Sequence, residues 1–456
     1  MSVLGTAPFA RPHVVASSLA STSRAPACTQ LRNYAVGRRI DRSPAGKREP
    51  DPVDPEVSKG PRSTKRVGTF LPLPANQLRH KLFNPAPEER QELNLPTFHA
   101  NALTTKDAAG QVMVFTKPQG GVVKAYGLPK NLLLEFRVLS KPCSVVRDVT
   151  LSTIQTLEQA KNFPSRESRA VLTGKTGSGK SYLLLQAVEY CKSKDWIVLY
   201  IPRAINLVNS STEYAYDART RTYLQSEFSF QLLQRFQQVN AHLIGSLKLT
   251  KPFNLGRREL PVGTPFSELV NVAQRDKALS HFALETLLAE LSWQSSYPVL
   301  LAIDDVQALY CNTYYRDPQF HGIKPYHLSV PRLLLEFLGG VRSFKNGAVL
   351  GAVSTTHTRF QMPFELSHAL GVRHVHESRP FARPEPELVR YAKHLKNIPV
   401  PSHFEVKEAA ALFEVWAKDR ALHFMGTDEM FLTMYTQSSG NPREFVWKGL
   451  LSSFAV

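Results

Sequence analysis

With 456 residues, 43% of them apolar, the chain has enough hydrophobic sequence for two or three domains with their own cores, which excludes a wholly disordered protein. Its four cysteines, Cys28, Cys143, Cys191 and Cys311, lie far apart with no CxxC pair, which excludes a zinc ribbon or a disulfide framework and leaves reduced, buried thiols. A net charge of +18 and a pI near 9.7 exceed what one anionic pocket requires, and they point to a polyanionic partner such as RNA or an anionic membrane surface.

The first forty residues hold no acid, carry Arg11, Arg24, Arg32, Arg38 and Arg39, and are rich in Ser, Ala and Val, the composition of a mitochondrial transit peptide. Arg32-Asn33-Tyr34-Ala35 fits a matrix processing pattern with Arg three residues before the cut, so residues 1–34 read as the presequence. A disordered basic tail that binds nucleic acid is the alternative. Losing residues 1–34 removes only three arginines, so the basic character belongs to the rest of the chain. Residues 35–69, dominated from Asp41 to Lys65 by Pro, Lys, Arg and Asp, cannot support a core and read as an extended basic arm. Residues 70–150 carry apolar clusters at Val112–Phe115, Val122–Tyr126 and Leu132–Val138, interrupted by Pro and Gly, which predicts a strap of short strands.

From residue 151 to 383 strand and helix patterns alternate, as a parallel sheet with helices on both faces requires. The predicted strands are Ala170–Thr173, Trp196–Ile201, Val299–Ile303 and Ala348–Ser354, with helical patterns at Tyr182–Lys192, Phe228–Leu247 and Phe266–Trp293. No apolar run is long enough to cross a bilayer. From about Pro384 the strands stop, and Pro386–Leu395, Phe404–Ala421 and Thr427–Phe454 predict a helical lid over residues 384–456.

The chemistry is written after the first of these strands. Gly174-Lys175-Thr176-Gly177-Ser178-Gly179-Lys180-Ser181 is a complete phosphate-binding loop between a strand and a helix. Its glycines let consecutive N–H groups turn inward on polyphosphate oxygens, Lys180 reaches the outer phosphates, and Ser181 offers a hydroxyl to Mg²⁺. The helix that follows points its positive dipole end at the anion. Such a loop needs an acid on a neighbouring strand for the metal's shell, and Val299-Leu300-Leu301-Ala302-Ile303-Asp304-Asp305 supplies Asp304 at the carboxyl end of a buried strand. Asp305 suits the N-cap of the next helix. As a candidate for orienting water it is one methylene shorter than glutamate, so slow or absent hydrolysis is expected. Ser354, with Thr355 and Thr356, stands at the end of the fourth strand, where a hydroxyl could sense the terminal phosphate or serve only as a turn residue. In Ser439-Gly440-Asn441-Pro442-Arg443-Glu444, Pro442 opens a helix and Arg443 can swing onto a phosphate or pair with Glu444. Asp305, Ser354 and Arg443 are the catalytic candidates.

The loop from Thr173 to Tyr182, the acidic strand Leu300–Asp305 and the Ser439–Glu444 turn together resemble the AAA+ and STAND type of P-loop NTPase. More closely, Tyr126-Gly127-Leu128-Pro129-Lys130, the segment Leu172–Ser181 and Tyr200-Ile201-Pro202-Arg203-Ala204 resemble the death-associated protein three family, over most of residues 100–456. The resemblance implies a P-loop protein of the mitochondrial small ribosomal subunit, in the matrix, contacting rRNA and neighbouring small-subunit proteins and lying near the large subunit. It implies GTP or GDP with Mg²⁺ in a largely structural role, held by Gly174 to Ser181 together with Tyr182, with the metal at Ser181 and Asp304. No separate guanine-reading Asn-Lys-x-Asp element is present, so ATP stays open. A free mitochondrial AAA+ ATPase and a nucleotide-switched signalling protein are the competing functions.

Overall fold

The computed structural model describes residues 93–103, 108–115, 121–255, 258–372, 383–422 and 426–451. The presequence and the basic arm expected over residues 1–69 lie outside them.

The strap opens with β1 (Val112–Val114), followed by α1 (Val122–Tyr126) and α2 (Lys130–Val138), and closes with β2 (Cys143–Val145), antiparallel to β1. Two of the three expected strap strands are therefore helices. Leu132 and Phe136 show why: they are four residues apart and both buried, a one-faced helical contact that a short apolar run does not distinguish from a strand. Next come α3 (Asp148–Ala160), β3 (Arg169–Thr173), α4 (Lys180–Ser193) and β4 (Ile197–Ile201). A hairpin of β5 (Ala215–Asp217) and β6 (Thr222–Leu224) precedes α5 (Ser226–Ile244), and a second of β7 (Phe253–Leu255) and β8 (Arg258–Leu260) precedes α6 (Phe266–Arg275) and α7 (Ser280–Trp293). The single helical pattern expected over Phe266–Trp293 breaks at Asp276, whose carboxylate accepts the Ala278 N–H at 2.9 Å and starts a short 3-10 turn. Then follow β9 (Val299–Asp304), α8 (Ser329–Leu338), β10 (Gly347–Ala352), α9 (Phe364–Ala369), α10 (Pro386–Ala392), β11 (Lys396–Pro399), α11 (Val406–Lys418), α12 (Asp428–Gln437) and α13 (Pro442–Phe445).

Five strands form one parallel sheet in the order β11-β3-β10-β9-β4, flanked by helices, so the α/β architecture is as expected. Every residue of β3, β4, β9 and β10 is buried, which is why each reads as an apolar run, broken only by polar residues at the ends of β3 and β9. The expectation that strands end at Pro384 does not hold. β11 pairs with β3, Lys396 opposite Ala170 and Pro399 opposite Thr173. Its four residues are half-buried or exposed, so an edge strand of this composition has no hydrophobic signature to read. The expected helix Thr427–Phe454 is likewise interrupted, by Ser439 and Gly440 at left-handed φ of 50° and 69°.

Among the described residues, two large hydrophobic cores form beside a small cluster of Tyr315, Ile323 and Leu328. The larger surrounds the sheet, while the smaller joins the strap, through Val112, Val114 and Val145, to Leu412, Phe413 and Trp416 of α11, to α12 and to Phe445 of α13. The lid helices thus share a core with the strap. Cys143 and Cys191 are buried and Cys311 is half-buried, all as free thiols.

On α4, Glu189 Oε1 is buried without a hydrogen-bond partner, and burial raises its carboxyl from 4.5 to about 7 against the pull of Lys192. Because the folded chain holds this proton more tightly than the unfolded one, the penalty is absent below the unfolded value and grows as pH rises towards 7. Glu189→Gln is expected to raise Tm by roughly 3 °C at pH 8 and by far less at pH 5, read by scanning calorimetry at both pH values. An equal change at the two would contradict the assignment.

Candidate functional site

The glycine-rich loop runs from the carboxyl end of β3 to the first turn of α4. Gly174, Gly177 and Gly179 take φ of 147°, 81° and 92°, a region that side-chain-bearing residues rarely adopt. A Cβ on Gly174 would lie 2.7 Å from the Val400 carbonyl, so the loop also needs the space. Inside the curl, the Lys180 ammonium donates to the carbonyls of Gly174 at 2.9 Å and Lys175 at 2.7 Å, and to Ser178 Oγ at 3.3 Å. Burial lowers Lys180 from 10.5 to about 8, opposed by Asp304 and assisted by Arg443. A ring of backbone at a helix N-terminus with one central ammonium can hold a polyphosphate.

Asp304 ends β9, buried, and the neighbouring Ser181 side chain lowers its carboxyl against the effect of burial. Its carboxylate accepts the Asp305 N–H at 2.9 Å. Burial pushes both carboxyl groups up, and the charge of Asp305 adds to the effect on Asp304. A serine hydroxyl beside a carboxylate is an oxygen pair of the kind a hard divalent cation takes. Asp305 occupies the N-cap of the next 3-10 turn at a left-handed φ of 58°, but its side chain makes no cap; it faces Arg203, 3.8 Å away, and lies beside Ser354. The expected capping role is therefore positional only, because the backbone conformation turns the carboxylate away. β10 lies between β3 and β9, which brings Ser354 and Thr355 between the loop and Asp304. The Thr176 and Thr355 hydroxyls are hydrogen-bonded, Ser354 Oγ and Thr356 Oγ1 share a bond of 2.9 Å, and the Ser354 N–H donates to Gln307 Oε1 at 3.0 Å.

The 439–444 turn is fastened onto the loop. Asn441 Nδ2 donates to the Thr176 carbonyl at 2.9 Å, and the Arg443 N–H donates to the Gly177 carbonyl at 3.1 Å. Asn441 also caps α13 by accepting from the Glu444 N–H, with Pro442 at the first turn as the sequence suggests. The Arg443–Glu444 pair does not form: the Arg443 guanidinium stacks over Trp447 and Glu444 pairs with Lys448 at 3.2 Å.

Arg147, just after β2, has no motif around it and was not legible in the sequence. Buried, it donates to the Ser178 carbonyl of the loop at 3.0 Å, to the carbonyls of Pro401 at 3.3 Å and His403 at 2.7 Å, and to Glu408 of α11 at 3.2 Å. One side chain thus joins strap, loop and lid. Beneath the loop opens a cavity of about 130 Å³, lined on one side by Leu132, Leu139, Trp416 and Leu450 and on the other by Thr176 to Leu183, Ser354 and Arg443. Glu135 lines it too, receiving a hydrogen bond from the Tyr182 hydroxyl; burial raises its carboxyl to about 7 although Tyr182 and Arg443 lower it. Sequence reasoning missed Glu135 because its partners are 47 residues away or more.

Among the described residues, no helix is long and apolar enough to cross a membrane, and no cluster of three metal-ligating side chains occurs. The chain is similar to three proteins named small ribosomal subunit protein mS29. That of Schizosaccharomyces pombe is 24% identical over 420 residues, covering 90% of this chain and 86% of the relative. The Neurospora crassa protein is 26% identical over 358 residues, 76% of this chain and 75% of its own. The Mus musculus protein is 26% identical over 251 residues, 53% of this chain and 63% of its own. A family profile described as mitochondrial ribosomal death-associated protein 3 matches residues 144–447, from the end of the strap through the glycine-rich loop, the acidic strand and the lid. The chain belongs to the mitochondrial ribosomal death-associated protein 3 family.

Proposed function

We propose that this chain is a structural protein of the mitochondrial small ribosomal subunit, in the matrix, whose P-loop holds a purine nucleoside di- or triphosphate with Mg²⁺ as part of its fold. The names of its relatives support the ribosomal role. Contacts to rRNA, to other small-subunit proteins and to the neighbouring large subunit are what the family resemblance implies. The observation that carries the nucleotide reading is the convergence of Lys180, Ser181 and Asp304 at the carboxyl end of the sheet, with Ser181 beside the Asp304 carboxyl. Gly174 to Ser181 and Tyr182 would line the phosphates, and Ser181 and Asp304 would hold the ion, whose charge would offset that of the phosphates. GTP or GDP is the ligand the family resemblance implies, and ATP remains open.

The fastening of Asn441, Arg443 and Arg147 onto the loop supports a structural rather than a turnover role. Asp305, the acid that could orient water, is engaged by Arg203 and Ser354, which supports slow or absent hydrolysis. A ligand present at a hundred times its dissociation constant stabilises the folded chain by about 2.7 kcal/mol without turnover.

Purified chain, denatured with acid, is expected to release close to one purine nucleotide per molecule, identified by ion-exchange chromatography. Lys180→Ala is expected to release none, to melt several degrees lower, and to comigrate poorly with the small subunit in sedimented mitochondrial extract. Full stability and incorporation of a nucleotide-free Lys180→Ala chain, or a soluble hexamer with steady turnover, would overturn the proposal.

A further inference from the structure

The glycine-rich loop occupies the carboxyl end of the sheet, and the opposite end has a charge pattern of its own. The neighbouring strands β11, β3 and β10 are entered by three turns, at residues 393–395, 161–168 and 340–346. Backbone and side-chain bonds hold these turns together: the Ser165 N–H donates to the Phe344 carbonyl at 3.0 Å, and the Gly347 N–H to the Phe163 carbonyl at 3.2 Å. Arg169 ties the group from inside, donating to the carbonyls of Arg166 at 2.9 Å, Leu338 at 2.8 Å and Lys393 at 3.4 Å.

On the outside of this corner stand Lys161, Arg166, Lys345, Lys393 and Lys396, all exposed. None forms an ion pair among the described residues. The turns and the start of β11 carry one acid, Glu167, whereas the remaining arginine there, Arg342, is held by Glu285 at 2.8 Å and Glu336 at 2.7 Å. Phe163, 54% exposed, lies among the cations. Local effects account for some of them: Lys161 and Lys393 follow helix C-termini, where a cation offsets the dipole, and a lysine at Lys396 guards an edge strand. Arg166 and Lys345 serve neither purpose. Five unpaired cations, four on the turns and Lys396 at the start of β11, span strand separations of about 4.8 Å and cover roughly 10 Å, the rise of about three nucleotides.

We propose that this amino-terminal corner of the sheet is a docking surface for the phosphodiester backbone of RNA, with Phe163 available to stack on an unpaired base. Charge complementarity carries the assignment: lysines and arginines without acidic partners are the backbone-neutralising element of RNA contacts, and an aromatic face among them suits an unstacked base. The proposal rests on the ribosomal reading only in choosing RNA over other polyanions, and it is independent of the nucleotide.

The test compares full-length chain with Arg166→Gln, Lys345→Gln and Lys393→Gln combined, and with a control carrying Lys248→Gln, Arg275→Gln and Lys407→Gln, three exposed cations elsewhere. Affinity for a labelled 30-nucleotide RNA of mixed sequence is measured across salt concentrations, with melting temperature as the check on folding. The corner variant is expected to lose about 2 from the slope of log affinity against log salt, and to weaken equally on RNAs of different sequence. An unchanged slope, a slope reduced as much in the control, or tighter binding to vesicles of anionic lipid than to RNA would overturn the surface. Wild-type chain that fails to bind RNA at all would instead count against the ribosomal reading. If the corner variant does not fold, a photo-cross-linking residue at position 163 in the assembled small subunit decides: cross-links to rRNA support the surface, and cross-links to protein alone overturn it.

Discussion

Arg147→Met is expected to lower the stability of the chain by about 3 to 5 kcal/mol and to release the lid from the loop. The guanidinium is buried and supplies donors to Glu408 and to the carbonyls of Ser178, Pro401 and His403. Methionine fills much of the space but leaves the Glu408 carboxylate buried without a cation, and removing one member of such a pair costs more than the pair contributes. Burial already raises the Glu408 carboxyl, opposed chiefly by Arg147, so the orphaned group is expected to take up a proton and part of the loss to be recovered at low pH. Lysine is expected to rescue poorly, since a point ammonium cannot reach partners on three sides as a planar fork does. The double variant Arg147→Met with Glu408→Met is expected to regain a share of the loss, because it removes the buried charge itself. Denaturant midpoints of the four proteins read the result, and a loss below about 1 kcal/mol for Arg147→Met would remove Arg147 from its central role.

Gly177→Ala is expected to cost about 3 kcal/mol, far more than the same change at Gly371. Both glycines have left-handed φ, 81° and 63°, so both pay the backbone strain of about 1 kcal/mol. At Gly371 nothing lies within 4 Å of the added methyl, whereas at Gly177 it would meet Asn441 Oδ1 at 2.3 Å and Arg443 Cβ at 2.9 Å. The 439–444 turn must then withdraw, breaking the Asn441–Thr176 and Arg443–Gly177 hydrogen bonds, each worth about 1 kcal/mol. Limited proteolysis is expected to cut Gly177→Ala chains between residues 400 and 451 faster than wild type. Equal protection of the two variants would show that the turn does not depend on the loop.

The two substitutions act on the same junction from opposite sides. Arg147 reaches the loop from the strap, and Asn441 with Arg443 reaches it from the lid. A ligand that orders the loop would therefore bias how strap and lid meet, and a change that frees either side is felt at the glycine-rich loop. A nucleotide bound as proposed would add its binding energy to contacts that already hold three parts of the chain in register.

What the amino-acid order determined by itself is local and covalent. The loop from Gly174 to Ser181 needs glycines at left-handed φ within eight consecutive residues, so its spacing is its geometry, and α4 follows it directly. β9 with Asp304 was equally plain, because a fully buried parallel strand has to be an unbroken apolar run and the acid at its end stands out. What only the tertiary structure decided is everything that depends on residues distant in the chain. β11, Lys-Asn-Ile-Pro with only Ile398 half-buried, has no strand signature of its own and becomes a strand only because β3 offers an unpaired edge. The strap cluster Leu132–Val138 became a helix because burying Leu132 and Phe136 on one side decided between two periods that short runs leave equal. Arg147 meets Glu408 across 261 residues, and Asn441 meets Thr176 across 265. Burial turns such meetings into strong constraints by removing the water that would otherwise satisfy each partner, and a linear pattern carries no record of which groups will lose that water together.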